Sequence, residues 1–307
     1  MHLVKQKKDN LVIYIMNSFT IKDLESLSGI KAHTIRIWEQ RYSFLNPQRT
    51  DTNIRYYTND ELKTILNISL LNKYGFKISH IDRMSTGEIK EKILSLSNAQ
   101  AQQERLINDM IHHMVEMDID AFEQLLDTYI LARGIEKAII YIIFPYLERI
   151  GILWVTNHIN PAQEHLVTNV IRQKLIAGIE STISHLKTNK TALLFLPEGE
   201  HHELGLLYMY YLLKRRGIKA FYIGANVPLA DVEYVAKLKK PDFIYSHLTS
   251  VAQNFNFEKF ITKTGLHIPG IPFIISGRLT QLYKKKTASN IHLKRSLQEV
   301  IEYINTL

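Results

Sequence analysis

The spacing of apolar residues changes twice along this chain, and those changes restrict the fold more than any other property of the sequence. From residue 19 to about 84 the pattern is one of short helices separated by turns. From 88 to 187 apolar positions recur every three or four residues almost without a break. Leu106, Met110, His113, Met114 and Met117 are one such row. Phe122, Leu125, Leu126, Tyr129 and Ile130 are another, and Ile139, Ile142, Ile143 and Tyr146 a third. That is the period of helices with a buried face. From 188 onward the apolar runs shorten to 192–196, 220–223, 243–246 and 273–276, with helical stretches at 204–216, 229–239 and 255–264 between them. Strands alternating with helices predict a parallel sheet covered on both faces.

A chain of 307 residues is long for one domain. The predicted organisation is a basic leader at 1–17, with a short strand at 11–16, then a domain of short helices and turns at 18–87. A four-helix bundle at 88–187 follows, and then a doubly wound α/β domain at 188–307. Asn160-Pro161 starts the last bundle helix as an N-cap with proline at the first helical position, and Gln163 completes a capping box. Asn59-Asp60-Glu61-Leu62 opens a helix with a good cap. In the α/β domain, ligands bind beyond the carboxyl ends of the strands. Residues 200–205, 246–250 and 276–277 all fall there.

Charge is unevenly spread over the net +8. Residues 1–90 hold 14 Lys/Arg against 9 Asp/Glu, 91–188 hold 8 against 12, and 189–307 hold 16 against 9. A basic first segment suits phosphate contact. The chain has no cysteine, so disulfides, zinc–thiolate sites and a cysteine nucleophile are excluded. The longest early apolar run, 11–16, is too short for a membrane span or a signal sequence. A cytoplasmic protein with no membrane partner is expected.

Two short helices around Ser28-Gly29-Ile30 fit a helix-turn-helix. The second, at 31–41, turns Ile35 and Trp38 inward. It turns Lys31, His33, Thr34, Arg36 and Gln40 outward, where they can meet base edges or phosphates in a major groove. Residues 49–57 form a β wing whose Arg49, Arg55 and Tyr56 can grip the backbone. The run from Thr20 through Trp38-Glu39-Gln40-Arg41-Tyr42, then Pro47, then Arg55-Tyr56-Tyr57 with Asp60, resembles the MerR-type winged-helix regulators. The resemblance implies promoter DNA as partner and adds Arg41 to the contacting residues.

Residues 200–205 read Glu-His-His-Glu-Leu-Gly. A histidine on a strand-to-helix loop can bind a metal while a carboxylate two residues earlier holds its other ring nitrogen. His201 is the alternative ligand if the loop is shifted by one. The E-x-H-x-x-G spacing resembles a cobalamin-binding signature. Ser246-x-Leu248, Ser276-Gly277, Trp154 and Glu164-His165 stand in the matching order, and together they resemble the cobalamin module of CarH/LitR-like MerR regulators.

That resemblance implies adenosylcobalamin as cofactor, with His202 as lower cobalt ligand and Glu200 orienting it. Gly205, Ser246, Leu248 and Gly277 would accommodate the nucleotide tail. Trp154, Glu164 and His165 would cover the upper axial group. It also implies a non-enzymatic repressor whose ligand state changes its assembly as dimer or tetramer. Two positions depart from the pattern. Ser276 replaces a glycine, and Val155 stands where light-sensing relatives carry a histidine ligand. Two other readings share these features: a corrinoid carrier subunit for methyl transfer, and a regulator of the same fold sensing another tetrapyrrole or no ligand.

Overall fold

In the computed structural model the described residues are 18–50, 52–155, 159–184, 188–249 and 255–306, with side chains described for all of these except 152–155. The leader and its expected strand at 11–16 lie outside them. Packing divides the chain into residues 1–170 and 171–307.

The first unit begins with helix α1 (Ile21–Ser28), capped by a reciprocal Thr20–Asp23 box and ended by Gly29. Helix α2 (Ala32–Arg41) follows. Strands β1 (Gln48–Arg49) and β2 (Arg55–Tyr56) pair antiparallel as a short ribbon. Helix α3 (Asn59–Lys73) comes next. Its cap is Thr58, which exchanges hydrogen bonds with Glu61, and not Asn59 as the sequence suggested. A threonine hydroxyl in extended backbone reaches the third helical N–H, whereas Asn59 is already helical. Short helices α4 (Ile78–Ile81) and α5 (Thr86–Leu94) lead on.

The central helices are α6 (Ala99–Glu116), α7 (Ile119–Arg133), α8 (Ile135–Ala138), α9 (Phe144–Val155) and α10 (Pro161–Ser181). A π-helical turn, Ile139–Ile143, joins α8 to α9. Its cause is Pro145, which has no N–H to give to Tyr141 and whose ring would strike that carbonyl. The wider turn, in which Phe144 N–H reaches Ile139, relieves the conflict. The packing division falls inside α10. Within the first unit, α6 packs along α3 and α9 packs against α1, so α1 and α3 share one body with the first bundle helices.

The second unit is a five-stranded parallel sheet of β3 (Thr191–Pro197), β4 (Lys219–Val227), β5 (Phe243–His247), β6 (Phe273–Ser276) and β7 (Ile291–Leu293). The spatial order is β4-β3-β5-β6-β7. Connecting helices are α11 (Leu204–Arg215), α12 (Leu229–Lys239), α13 (Phe257–His267) and the short α14 (Arg278–Leu282), and α15 (Leu297–Asn305) closes the chain. Leu193 and Phe195 of β3 join Val232 and Ala236 of α12 and Phe260 and Ile261 of α13 in one cluster. Right-handed crossovers running in opposite directions from β3 put α11 on the other face. The order reverses between β3 and β5, so a crevice opens beyond their carboxyl ends. Four strands were expected. The fifth, β7, is three residues at an edge and carries no periodic signal. Among the described residues no helix is long and apolar enough to cross a membrane.

Candidate functional site

The loop after β3 carries the first site. Glu200 is fully buried. Its Oε1 accepts from the His202 backbone N–H at 3.0 Å and lies 2.6 Å from His202 Nδ1. Its Oε2 accepts from the Thr249 backbone N–H at 2.9 Å. The loop is tied to β4, because Asn226 N–H donates to the Glu200 carbonyl at 3.2 Å and Asn226 Oδ1 accepts from Gly199 N–H at 3.0 Å. The carboxylate is therefore held from several sides and holds the imidazole in turn. The His202 side chain is 49% exposed, so the ring stands at the surface with Nδ1 committed inward. His201 is exposed. Glu203 accepts from Tyr222 Oη at 3.0 Å and pairs with Arg172 at 2.6 Å.

The end of β5 supplies the second element. Ser246 is fully buried, and its hydroxyl has no hydrogen-bond partner among the described residues. A buried hydroxyl without a partner is costly, and a polar ligand group reaching it would remove that cost. Leu248 is buried, with its N–H on the Ser276 carbonyl at 2.9 Å.

Tyr245 and His247, two apart on one strand, face the same side. Ser276 Oγ lies 2.6 Å from Tyr245 Oη and 2.8 Å from His247 Nδ1. Burial drives the Tyr245 hydroxyl well above the ordinary phenol range. Burial also lowers His247 to about 4, against a smaller opposing pull from Glu200, so the ring is neutral near pH 7.

The glycines are set by packing within the fold. A Cβ on Gly205 would lie 2.3 Å from His247 Cδ2, and one on Gly277 would lie 2.3 Å from the Leu248 carbonyl oxygen. Gly277 also has φ +99°, a conformation other residues adopt with strain. The space that the missing side chains leave is thus filled by His247 and by the Leu248 backbone. The resemblance implies a nucleotide tail close to these glycines. Sequence reasoning missed His247 and Tyr245. The signal was there in the departure at 276, since a hydroxyl replacing glycine at a strand end needs polar neighbours.

The remaining candidates lie in the first unit. Trp154 is in the last turn of α9, with Val155 after it, and their side chains are outside the described residues, as is His158. Glu164 and His165 occupy the first turn of α10, with Nδ1 of His165 3.4 Å from Glu164 Oε2. Asn160 Oδ1 accepts from Ala162 N–H, and Gln163 Oε1 accepts from Asn160 N–H, both at 2.8 Å. Gln163 is itself buried and donates to the Val115 carbonyl, which fixes this turn on α6.

The DNA-facing candidates divide into two groups. On α2, Ile35 and Trp38 are buried, while Lys31, His33, Arg36, Gln40 and Arg41 are exposed and Thr34 is half-buried. Glu25 holds the start of α2 by accepting from Ala32 N–H at 3.1 Å and pairing with Lys31 at 3.2 Å. The ribbon residues have partners in the fold. Arg49 donates to Asn53 Oδ1 at 2.7 Å, and Tyr56 Oη donates to Gln48 at 2.6 Å. Arg55 pairs with Glu39 of α2 at 3.1 Å, and Tyr57 Oη donates to the same carboxylate. Burial, and then Glu39, raise the Tyr57 hydroxyl above its ordinary range. Glu39, which locks the ribbon to α2, was not singled out from sequence.

Residues 19–88 match the family described as MerR HTH family regulatory protein, and residues 106–177 match the family described as B12 binding domain. The chain is a MerR-type transcriptional regulator that carries a cobalamin-binding domain. It is 25% identical over 267 residues to the HTH-type transcriptional repressor CarH of Myxococcus xanthus, covering 85% of this chain and 89% of that one. It is 28% identical over 227 residues to the repressor CarA of the same organism, covering 73% and 74%. The solved monomethylamine corrinoid protein of Methanosarcina barkeri covers 67% of this chain and 100% of its own length at 11% identity, with a TM-score of 0.51. At that identity the likeness concerns the fold alone.

Proposed function

We propose that this protein is a cytoplasmic repressor that binds promoter DNA through α2 and a wing formed by β1 and β2, and that adenosylcobalamin governs that binding. The observation that carries the cofactor reading is the Glu200–His202 pair. A buried carboxylate on Nδ1 fixes the ring and its tautomer, which commits Nε2 to a metal and raises its basicity. When bound, the corrinoid supplies a cobalt(III) centre that accepts imidazole nitrogen. His202 would hold the cobalt, and Glu200 would orient its ring. Ser246 Oγ gains a polar partner from the tail, and Leu248 provides the apolar wall. Gly205 and Gly277 keep this end of the sheet closely packed.

Trp154, Glu164 and His165 are assigned to the adenosyl side on the family pattern. Val155 has no donor atom, so the histidine switch of light-sensing relatives is not available at that position. The protein regulates and does not catalyse, and ligand state shifts it between dimer and tetramer. A ligand moves such an equilibrium only by its differential affinity for the two assemblies.

Ultraviolet–visible titration with adenosylcobalamin tests the cofactor reading. A base-off, histidine-ligated spectrum that disappears in His202→Ala is expected, and its persistence in that variant would refute the assignment. Size-exclusion chromatography with adenosylcobalamin, in the dark and after illumination, tests assembly. An unchanged mass in both states would remove the oligomer switch.

A further inference from the structure

We infer that Arg149 is the positioning residue through which the cobalamin-binding module sets the DNA-reading helices. It sits on α9, the helix that ends with Trp154 and Val155. Its Nη2 donates to the Leu27 carbonyl oxygen at 2.5 Å, in the last turn of α1. Its Nη1 donates to Asn108 Oδ1 of α6 at 2.7 Å. Asn108 is buried and passes the contact on, donating through Nδ2 to the Leu66 carbonyl of α3 at 3.4 Å. One guanidinium thus ties two bundle helices to α1 and α3 of the DNA-binding segment.

The chemistry of the link argues against a purely stabilising role. Both bonded acceptors are neutral, and burial lowers the guanidinium to about 10 while leaving it charged near pH 7. Neither bonded acceptor is a carboxylate, and the charge of Glu104 offsets the burial only in part, so the contact recovers little of the cost of desolvating the cation. What it adds is direction. The Leu27 carbonyl lies at the C-terminal, negative end of α1, where a cation is favoured. The planar fork also fixes the angle between its two acceptors.

The end of α1 runs directly into the turn Ser28-Gly29-Ile30 and then α2, and Glu25 bonds α1 to the first residues of α2. A shift of α9 along its axis therefore moves the base of the recognition helix. The π turn at Ile139–Ile143 interrupts the regular ladder between α8 and α9.

This inference rests on the cobalamin reading, and one measurement separates the two. Hydrogen–deuterium exchange of the full chain, with and without adenosylcobalamin in the dark, reads segments 198–206 and 20–41 together. In the wild type both should gain protection. Arg149→Met should keep the response at 198–206 and lose it at 20–41. Arg149→Lys, which retains the charge but reaches one acceptor, should show the 20–41 response reduced at least about two-fold, and it decides the matter if the methionine variant fails to fold.

In parallel, the ratio of affinities with and without cobalamin should fall from about five-fold or more to about one in Arg149→Met. The probe is a duplex selected from a random pool by the wild-type protein. A 20–41 response that survives in Arg149→Met and is undiminished in Arg149→Lys would overturn the inference. So would a wild type that responds at 198–206 alone. No response at 198–206 in the wild type would instead defeat the cobalamin reading beneath it.

Discussion

Glu39 and Glu200 are both carboxylates drawn into the protein, with side chains 8% and 0% exposed, yet they serve different ends. Glu39 lies on the recognition helix and takes Arg55 and Tyr57 from the ribbon side. Glu200 lies on the loop after β3 and takes two backbone N–H groups and a histidine ring. The partner decides the use. A guanidinium or a phenol is consumed by such a contact and leaves nothing that ligates a metal. An imidazole has two nitrogens, so fixing one presents the other. The first carboxylate is a clasp between the helix and the ribbon, and the second is a support for a surface imidazole.

The contrast predicts different losses. Glu39→Ala leaves a buried phenol and a guanidinium without their acceptor and should lower unfolding free energy by about 3 kcal/mol. Urea denaturation would show it, while a cobalamin titration of the same variant should be unchanged. A cobalamin defect in that variant would erase the distinction. Glu200→Gln should do the reverse, weakening cobalamin binding about 10–100-fold with a smaller effect on folding. Equilibrium dialysis against hydroxocobalamin measures the affinity, and wild-type affinity in that variant would make Glu200 another clasp.

A third test concerns pH at the sheet end. His247 is neutral in the fold because burial lowers it to about 4, whereas in the unfolded chain it titrates near 6.5. Protonation therefore favours the unfolded chain. The contribution is complete above about pH 6.5 and is lost as pH falls toward 4, by about 1.5 kcal/mol after allowance for partial exposure. Denaturation midpoints at pH 7.5 and 5 should differ less in His247→Gln than in the wild type. The smallest effect belongs to the open face of α2. Arg36→Ala should cost about 1 kcal/mol of DNA affinity and leave folding and cobalamin binding untouched. Fluorescence anisotropy at two salt concentrations would check it, and a large stability loss would mean that Arg36 is part of the core.

Much of this was legible in the chain. The inward pair Ile35 and Trp38 followed from helical period alone, as did the exposed row His33, Arg36 and Gln40. The Glu200-x-His202 pair was legible because it follows an apolar strand and precedes a helix, and contacts two residues apart need no knowledge of the fold. The ribbon was harder. Arg49, Arg55 and Tyr56 read as phosphate contacts, while the structure also joins them to Asn53, Glu39 and Gln48, and Glu39 is sixteen residues from Arg55. The Tyr245–Ser276–His247 chain depends on the register of β5 against β6, which pairs His247 with Ser276. Hydropathy specifies that register only to within the alternation of faces.

By itself the sequence determined the order of the parts and the chemistry at each motif: a helix-turn-helix segment, a helical span, and a parallel α/β unit with a carboxylate–histidine loop at its ligand end. Those follow from period, capping and spacing, which are local. Tertiary structure alone decided that His247 fills the space beside Gly205. It also decided that Glu39 closes the ribbon onto α2, and that Arg149 reaches from α9 to the end of α1. Each joins residues distant along the chain, and only packing brings such residues within hydrogen-bonding or van der Waals reach.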